Sequence, residues 1–119
     1  MKVAKGRNVI IDAHTHIFPP EFARNRAALA ARDPWFAATY GATDARMATA
    51  EELIDSLDAA GIAAAVICGW PWRDNALCRF HNDYLLDVSR RWPGRLLVLA
   101  IVAPLAGAAA PSEGATSCA

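Results

Sequence analysis

The sequence predicts an α/β protein in which three strand–helix units form a parallel sheet. A short apolar run at residues 9–11 predicts a first strand over residues 8–14, and the apolar runs at residues 62–68 and 96–103 predict two more, with helical patterns between them. A strand, a helix and a second strand in this order form a right-handed crossover, which makes the two strands parallel. The two later runs are apolar without alternation, as in parallel strands that are covered on both faces.

The first strand leads into a long, irregular connection over residues 18–48. A short helix is expected over residues 21–32. Asp33 ends it, because it precedes Pro34 and the residue before a proline is pushed out of the α region. Three aromatic residues follow in what we predict to be a loop: Trp35, Phe36 and Tyr40.

Residues typical of helix ends and of apolar helix faces predict two longer helices. Thr49 and Glu52 match a capping box, and Gly61 is placed to end that helix in a left-handed turn. The second helix is predicted over residues 75–92. His81 lies on its apolar stripe, so we expect a packed, hydrogen-bonded side chain there rather than a metal ligand.

Composition excludes several classes of partner. Twelve basic and twelve acidic residues in a chain of 119 give a formal net charge of zero, so no electrostatic footprint for nucleic acid exists. The apolar stretch at residues 96–110 is too short for a membrane span and contains a proline. Three cysteines without CxxC spacing and the lack of a secretory segment predict a reducing, cytoplasmic location.

Residues 12–16, Asp-Ala-His-Thr-His, are the candidate metal site. Strand alternation directs Asp12, His14 and His16 to one side, where two neutral imidazoles can hold the same ion. We expect Asp12 to orient a ligating histidine, or to be structural, rather than to bind metal itself. Imidazole ligands favour zinc among the divalent metals.

Further stretches follow the first motif in a recognisable order: residues 11–19 (Ile-Asp-Ala-His-Thr-His-Ile-Phe-Pro), 57–62 (Leu-Asp-Ala-Ala-Gly-Ile), 65–67 (Ala-Val-Ile), 82–84 (Asn-Asp-Tyr), 92–96 (Trp-Pro-Gly-Arg-Leu) and 102–104 (Val-Ala-Pro). Together they resemble the amidohydrolase-related, metal-dependent hydrolases of the TIM-barrel type. They resemble especially the branch that includes aminocarboxymuconate-semialdehyde decarboxylase. The resemblance implies that His14 and His16 are the first two metal ligands, at the mouth of a barrel.

The resemblance also implies an incomplete site. A (β/α)8 barrel has eight units and about 250 residues, whereas residues 1–105 supply about three N-terminal units. The remaining metal ligand and the catalytic groups of the family lie on later strands. We therefore expect a truncated or frameshifted chain, inactive alone, with a disordered tail over residues 106–119. The family chemistry is hydrolysis of C–N or C–O bonds, or decarboxylation.

Three aromatic residues and one arginine at the same end of the sheet are candidates for a substrate pocket: Phe18, Trp70, Trp72 and Arg73. They suit a small aromatic or unsaturated carboxylic acid, with Arg73 meeting the carboxylate. A second interpretation is that the aromatic residues only cover the core and that Arg73 is a solvated surface residue. The alternative function is a non-catalytic remnant or a fragment that needs a partner, because open sheet edges favour self-association or aggregation.

Overall fold

A computed structural model of the chain describes residues 6–104, in which three parallel strands form one sheet of order β1-β2-β3. The predicted tail of residues 106–119 lies outside this described part. In chain order the elements are β1 (Ile11–His16), α1 (Pro20–Arg24), α2 (Arg26–Arg32), α3 (Pro34–Tyr40), α4 (Ala50–Ala60), β2 (Ala64–Cys68), α5 (Asn75–Arg91) and β3 (Leu96–Leu99).

The predicted α/β class with a parallel sheet is confirmed, while the strands are shorter than expected. The first strand begins at Ile11 rather than at residue 8, and its register with β2 begins at the pair Ile11–Ala64. Val9 and Ile10 precede the strand and are exposed. The third strand ends at Leu99, four residues before the apolar run does.

Helices α4 and α5 cover the same face of the sheet. Parallel crossovers are right-handed almost without exception, so two successive crossovers in the same direction put their helices on one side, in agreement with the single core that both helices share. The core on this side is built from these buried residues: Ile17, Ala50, Ile54, Leu57, Ala65, Ile67, Leu85, Val88 and Leu96. Their burial holds the sheet and helices together through the hydrophobic effect.

The opposite face of the sheet carries no helix among residues 6–104. Ile11, Leu97 and Leu99 are 52%, 44% and 57% exposed, and Val66 and Cys68 are only partly buried. The prediction that the later strands are covered on both faces is therefore wrong for this part of the chain. We call this surface the helix-free face and define it by these five residues.

The ends of α4 follow the sequence signals. The Thr49 hydroxyl accepts from the Glu52 amide, and the Glu52 carboxylate accepts from the Thr49 amide at 2.8 Å, so the capping box is confirmed. Gly61 ends the helix with a φ of 67°, a conformation that L side chains rarely adopt. The Tyr84 hydroxyl of α5 accepts from the Ala50 amide at 2.9 Å and ties the two helices together.

The long connection between β1 and α4 is more helical than predicted. The expected helix over residues 21–32 is divided at Asn25 into α1 and α2, and the expected aromatic loop is the helix α3. Asp33 ends α2 and also begins α3, since its carboxylate accepts from the Phe36 amide at 3.0 Å and Pro34 occupies the first helical position. No helix within residues 6–104 is long and apolar enough to cross a membrane.

Replacing the capping hydroxyl, Thr49→Ala, should lower the free energy of unfolding by about 1 kcal/mol, the usual cost of losing such a cap. Urea denaturation followed by circular dichroism measures the loss. Ser56→Ala, at an exposed position of the same helix, is the matched control and should leave the midpoint nearly unchanged. Equal midpoints for Thr49→Ala and wild type would contradict the capping role.

Candidate metal centre

The carboxyl end of β1 brings two histidines together. The Nε2 atoms of His14 and His16 lie 3.0 Å apart, and the ring centroids lie 4.9 Å apart. The His14 side chain is exposed and that of His16 is partly buried. The sequence prediction that these two rings share one side is thus matched by the geometry.

A bulge interrupts the regular alternation predicted for this strand. Asp12 pairs with Ala65 and Thr15 pairs with Ile67, so β1 contains one more residue than β2 between these two pairs. Asp12 therefore does not lie on the side of the histidines by simple alternation, as expected from the sequence. In the parallel register it shares the side of Ala65, which packs against the helices.

The Asp12 side chain forms a hydrogen bond with the backbone of the bulge. Its carboxylate oxygen accepts a hydrogen bond from the His14 amide at 3.2 Å. This contact restrains the segment that carries the first histidine. The role of Asp12 towards a metal ion stays a prediction.

The surroundings of His16 favour its neutral form. Burial lowers the pKa of His16, and the neighbouring His14 lowers it further, while backbone groups of Cys68 and Gly69 oppose both effects. Nδ1 of His16 is buried and has no aligned hydrogen-bond partner within the described residues. Neutral imidazole is the form that binds metal ions, so this environment suits a ligand.

The two histidines fit a divalent ion as one pair of ligands. Nitrogen ligands lie about 2.0–2.1 Å from zinc, so two nitrogens 3.0 Å apart can contact the same ion. Catalytic zinc usually has three protein ligands and a water. Residues 6–104 contain no group of three His, Cys, Asp or Glu side chains placed to hold a metal.

His81 of α5 lies beneath this end of the sheet and is completely buried. Its Nδ1 accepts from the Trp70 amide at 3.2 Å and from the Trp72 indole at 3.1 Å, so its proton is on Nε2. Nε2 then donates to the Ile17 carbonyl at 2.7 Å. The prediction of a packed, hydrogen-bonded residue is confirmed.

Asn82, the next residue of α5, fixes the segment after β3. Its side-chain amide donates to the Ile101 carbonyl at 2.7 Å and accepts from the Ile101 amide at 3.0 Å. A Cβ at Gly69 would lie 3.0 Å from the His81 ring, so glycine is what allows this close approach. Together, His81 and Asn82 hold the chain just after all three strands. Sequence reasoning missed this function, although two adjacent polar residues beside an apolar helix stripe were a visible signal.

The predicted pocket residues do not form one cavity. Phe18 and Trp70 are buried in an aromatic cluster whose other members include Phe36 and Trp72, and the Trp70 ring lies 6.3 Å from that of His16. Trp72 and Arg73 border a cleft of about 420 Å³ on the surface. Its remaining lining residues are Trp35, Pro71, Ala103 and Pro104.

No protein-family model matches this sequence, and no curated protein is significantly similar to it. The function of the chain is therefore inferred from the geometry of its described residues.

Acid should destabilise the protein through His81. Burial lowers its pKa from 6.5 to about 4, so between these values the unfolded chain binds a proton that the native ring does not. Above pH 6.5 the ring is mostly neutral in both the folded and the unfolded chain, so its full contribution to the free energy of unfolding is present. That contribution should fall by about 3 kcal/mol as the pH drops to 4. Urea denaturation at a series of pH values measures the decrease.

Two variants isolate this effect from other titrating groups. Ser56→Ala, at an exposed position of α4, removes no titrating side chain and should keep the wild-type pH dependence. His81→Gln should be less stable at pH 7 and should lose less stability on acidification. A wild-type stability that is constant from pH 7 to pH 4 would contradict the buried, neutral ring.

Proposed function

We propose that this chain supplies part of the metal site of a metal-dependent hydrolase of the amidohydrolase-related family. The observation that carries the proposal is the 3.0 Å separation of the His14 and His16 Nε2 atoms at the carboxyl end of the first strand. Active sites of TIM-barrel enzymes lie at this end of their strands. The motif at residues 12–16 is the stretch that most resembles the family.

The arrangement of strands and helices supports three consecutive units of a (β/α)8 barrel. The strands follow one another in the order β1-β2-β3, and both crossover helices cover one face. In a barrel the helices form the outer ring and the other face points inward. The helix-free face corresponds to that inner surface under this proposal.

The described residues would hold and orient a metal rather than complete a reaction. His14 and His16 would bind the ion through Nε2, and the Asp12 contact to the His14 amide would steady the first ligand. A bound zinc polarises a carbonyl group or lowers the pKa of a water molecule. Hydrolysis of C–N or C–O bonds, or decarboxylation, would then need groups from outside residues 6–104. A cytoplasmic location is part of the same proposal.

The substrate class proposed is a small aromatic or unsaturated carboxylic acid. Trp72 and Arg73 border the 420 Å³ cleft, where a guanidinium beside an apolar wall suits a carboxylate on a ring. The Arg73 side chain is exposed. Phe18 and Trp70 would act only as packing beneath the site, because both are buried in the aromatic cluster.

A non-catalytic chain that associates with a partner is the second candidate. The exposed apolar side chains of the helix-free face favour it, and so do the two outer strands with unpaired edges. Zinc uptake distinguishes the candidates. Zinc that the full chain binds and that His14→Ala loses supports a segment of a hydrolase metal site, whereas a chain that self-associates and takes up no zinc supports the second candidate.

Zinc binding tests the metal site directly. We expect the metal-free full chain to bind zinc in calorimetric titration, and His14→Ala or His16→Ala to weaken binding by roughly tenfold or more, since each removes half of the ligand pair. Asp55→Ala is the matched control, because it removes an exposed carboxylate on α4. Zinc affinity that is unchanged in both histidine variants would contradict the site.

A further inference from the structure

We propose that Trp35 stacks on the ring of an aromatic carboxylic acid in the surface cleft, that Arg73 binds the carboxylate, and that Asp33 fixes the position of both residues. The inference rests on the proposed function, from which it takes the substrate class, and it adds the residue that selects the ring. Its basis is the juxtaposition of an exposed indole and an arginine in one apolar cleft, with a buried carboxylate bonded to the backbone beside each of them.

The lining of the cleft fits a ligand with an apolar body and one negative group. Arg73 carries the one charge among the described lining residues, and the others are Trp35, Pro71, Trp72, Ala103 and Pro104. The volume of about 420 Å³ lies within the range of small-molecule sites, roughly 300–1,000 Å³. One small acid with a single ring therefore suits this cleft.

The Arg73 guanidinium has the chemistry to bind the negative group. Within residues 6–104 no carboxylate lies at ion-pair distance from Arg73, whereas Arg32 nearby pairs with Asp74. A guanidinium presents parallel N–H groups that match the two oxygens of a carboxylate. Arg73 therefore selects a carboxylate over a neutral amide or alcohol of the same shape.

The Trp35 indole is exposed although it is large and mostly apolar. It is 69% exposed in the first turn of α3, whereas Trp70 and Trp72 are buried in the aromatic cluster. Its ring contacts no other aromatic ring in the part of the chain that the structure describes. A ligand ring stacked on this indole would remove apolar surface of both partners from water and add the offset contact of two aromatic rings. Trp35 therefore favours a planar ring over a saturated one.

Asp33 ties Trp35 and Arg73 to one another. Its side chain is buried, and one carboxylate oxygen accepts from the Phe36 amide at 3.0 Å while the other accepts from the Arg73 amide at 3.2 Å. Phe36 follows Trp35 in the first turn of α3. One carboxylate thus holds the turn that carries the indole against the backbone that carries the guanidinium. Asp33 is a positioning residue, because it acts on the ligand only through these two side chains.

Titration of the nitrogen-15-labelled, zinc-free full chain with benzoate tests the proposal. NMR spectra of the indole N–H groups report on each of the four tryptophans separately. We expect benzoate to shift the Trp35 signal to saturation and to bind roughly threefold or more tightly than cyclohexanecarboxylate, which has the same charge without a planar ring. Benzamide, which has the ring without the charge, should bind roughly tenfold more weakly than benzoate.

Surface variants separate the two contacts. Trp35→Ala should remove the preference for benzoate over cyclohexanecarboxylate, and Trp35→Phe, which keeps a ring, should restore part of it. Arg73→Gln should remove the preference for benzoate over benzamide. Arg46→Gln, at an exposed position outside the cleft, is the matched control and should bind benzoate as wild type does.

Two substitutions of Asp33 test its positioning role. The amide nitrogen of Asp33→Asn cannot accept a backbone hydrogen bond, and Asp33→Ser keeps a cap on α3 while it removes the carboxylate oxygen from the Arg73 amide. Benzoate affinity should fall by roughly threefold or more, and both ligand preferences should fall together, because the two contacts lose their common spacing. Circular dichroism identifies the folded variant, and unchanged affinity and preferences in that variant would overturn the positioning role.

Three results would overturn the inference about the cleft. These are a Trp35 signal that benzoate does not shift, equal benzoate affinities of Trp35→Ala and wild type, and benzoate binding that needs zinc and is lost in His14→Ala. The last result would place the carboxylate on the metal rather than on Arg73. Zinc uptake without benzoate binding would leave the proposed metal site and remove the cleft. Benzoate binding by a chain that takes up no zinc would support the cleft and overturn the proposed hydrolase site.

Discussion

The hydrogen bonds of the buried His81 imidazole are the interaction on which the carboxyl end of this sheet depends. One neutral ring joins the carbonyl after β1 to the backbone and indole groups after β2, and Asn82 beside it joins the backbone after β3. These backbone groups sit where the strands have ended and no neighbouring strand satisfies them. Left unpaired in the interior, each would cost free energy comparable to a lost hydrogen bond.

The His81 hydrogen bonds also restrain the candidate metal centre, because one of them is made to the residue that follows His16. His16 directly precedes Ile17, whose carbonyl accepts the His81 hydrogen bond. The second histidine of the pair is therefore held by a residue anchored to α5, while the first is held by the Asp12 contact across the bulge. The backbone that carries each of the two histidines is thus restrained by contacts within the chain. Preorganisation of this kind is what a metal site requires of its supporting residues.

Local signals predicted much of the fold, and contacts distant in sequence account for what they missed. The capping box at Thr49 and the turn at Gly61 involve neighbouring residues, so the sequence alone located α4. The helix α3 was missed because Asp33 and Pro34 both end one helix and begin the next. The exposure of the helix-free face could not be predicted, since an apolar strand has the same sequence whether or not another element covers it. The histidine pair was predicted from alternation, but the bulge depends on pairing with β2.

The central claim is that His14 and His16 bind one ion jointly while His81 stays neutral and structural. Long-range proton–nitrogen NMR spectra of the nitrogen-15-labelled chain test it most directly. At pH 5.5 the His81 ring should carry its only proton on Nε2, because burial lowers its pKa to about 4. Zinc added at pH 7 should shift the Nε2 signals of both His14 and His16 and leave those of His81 in place. A protonated His81 at pH 5.5, or a zinc shift confined to one of the two surface rings, would contradict the claim.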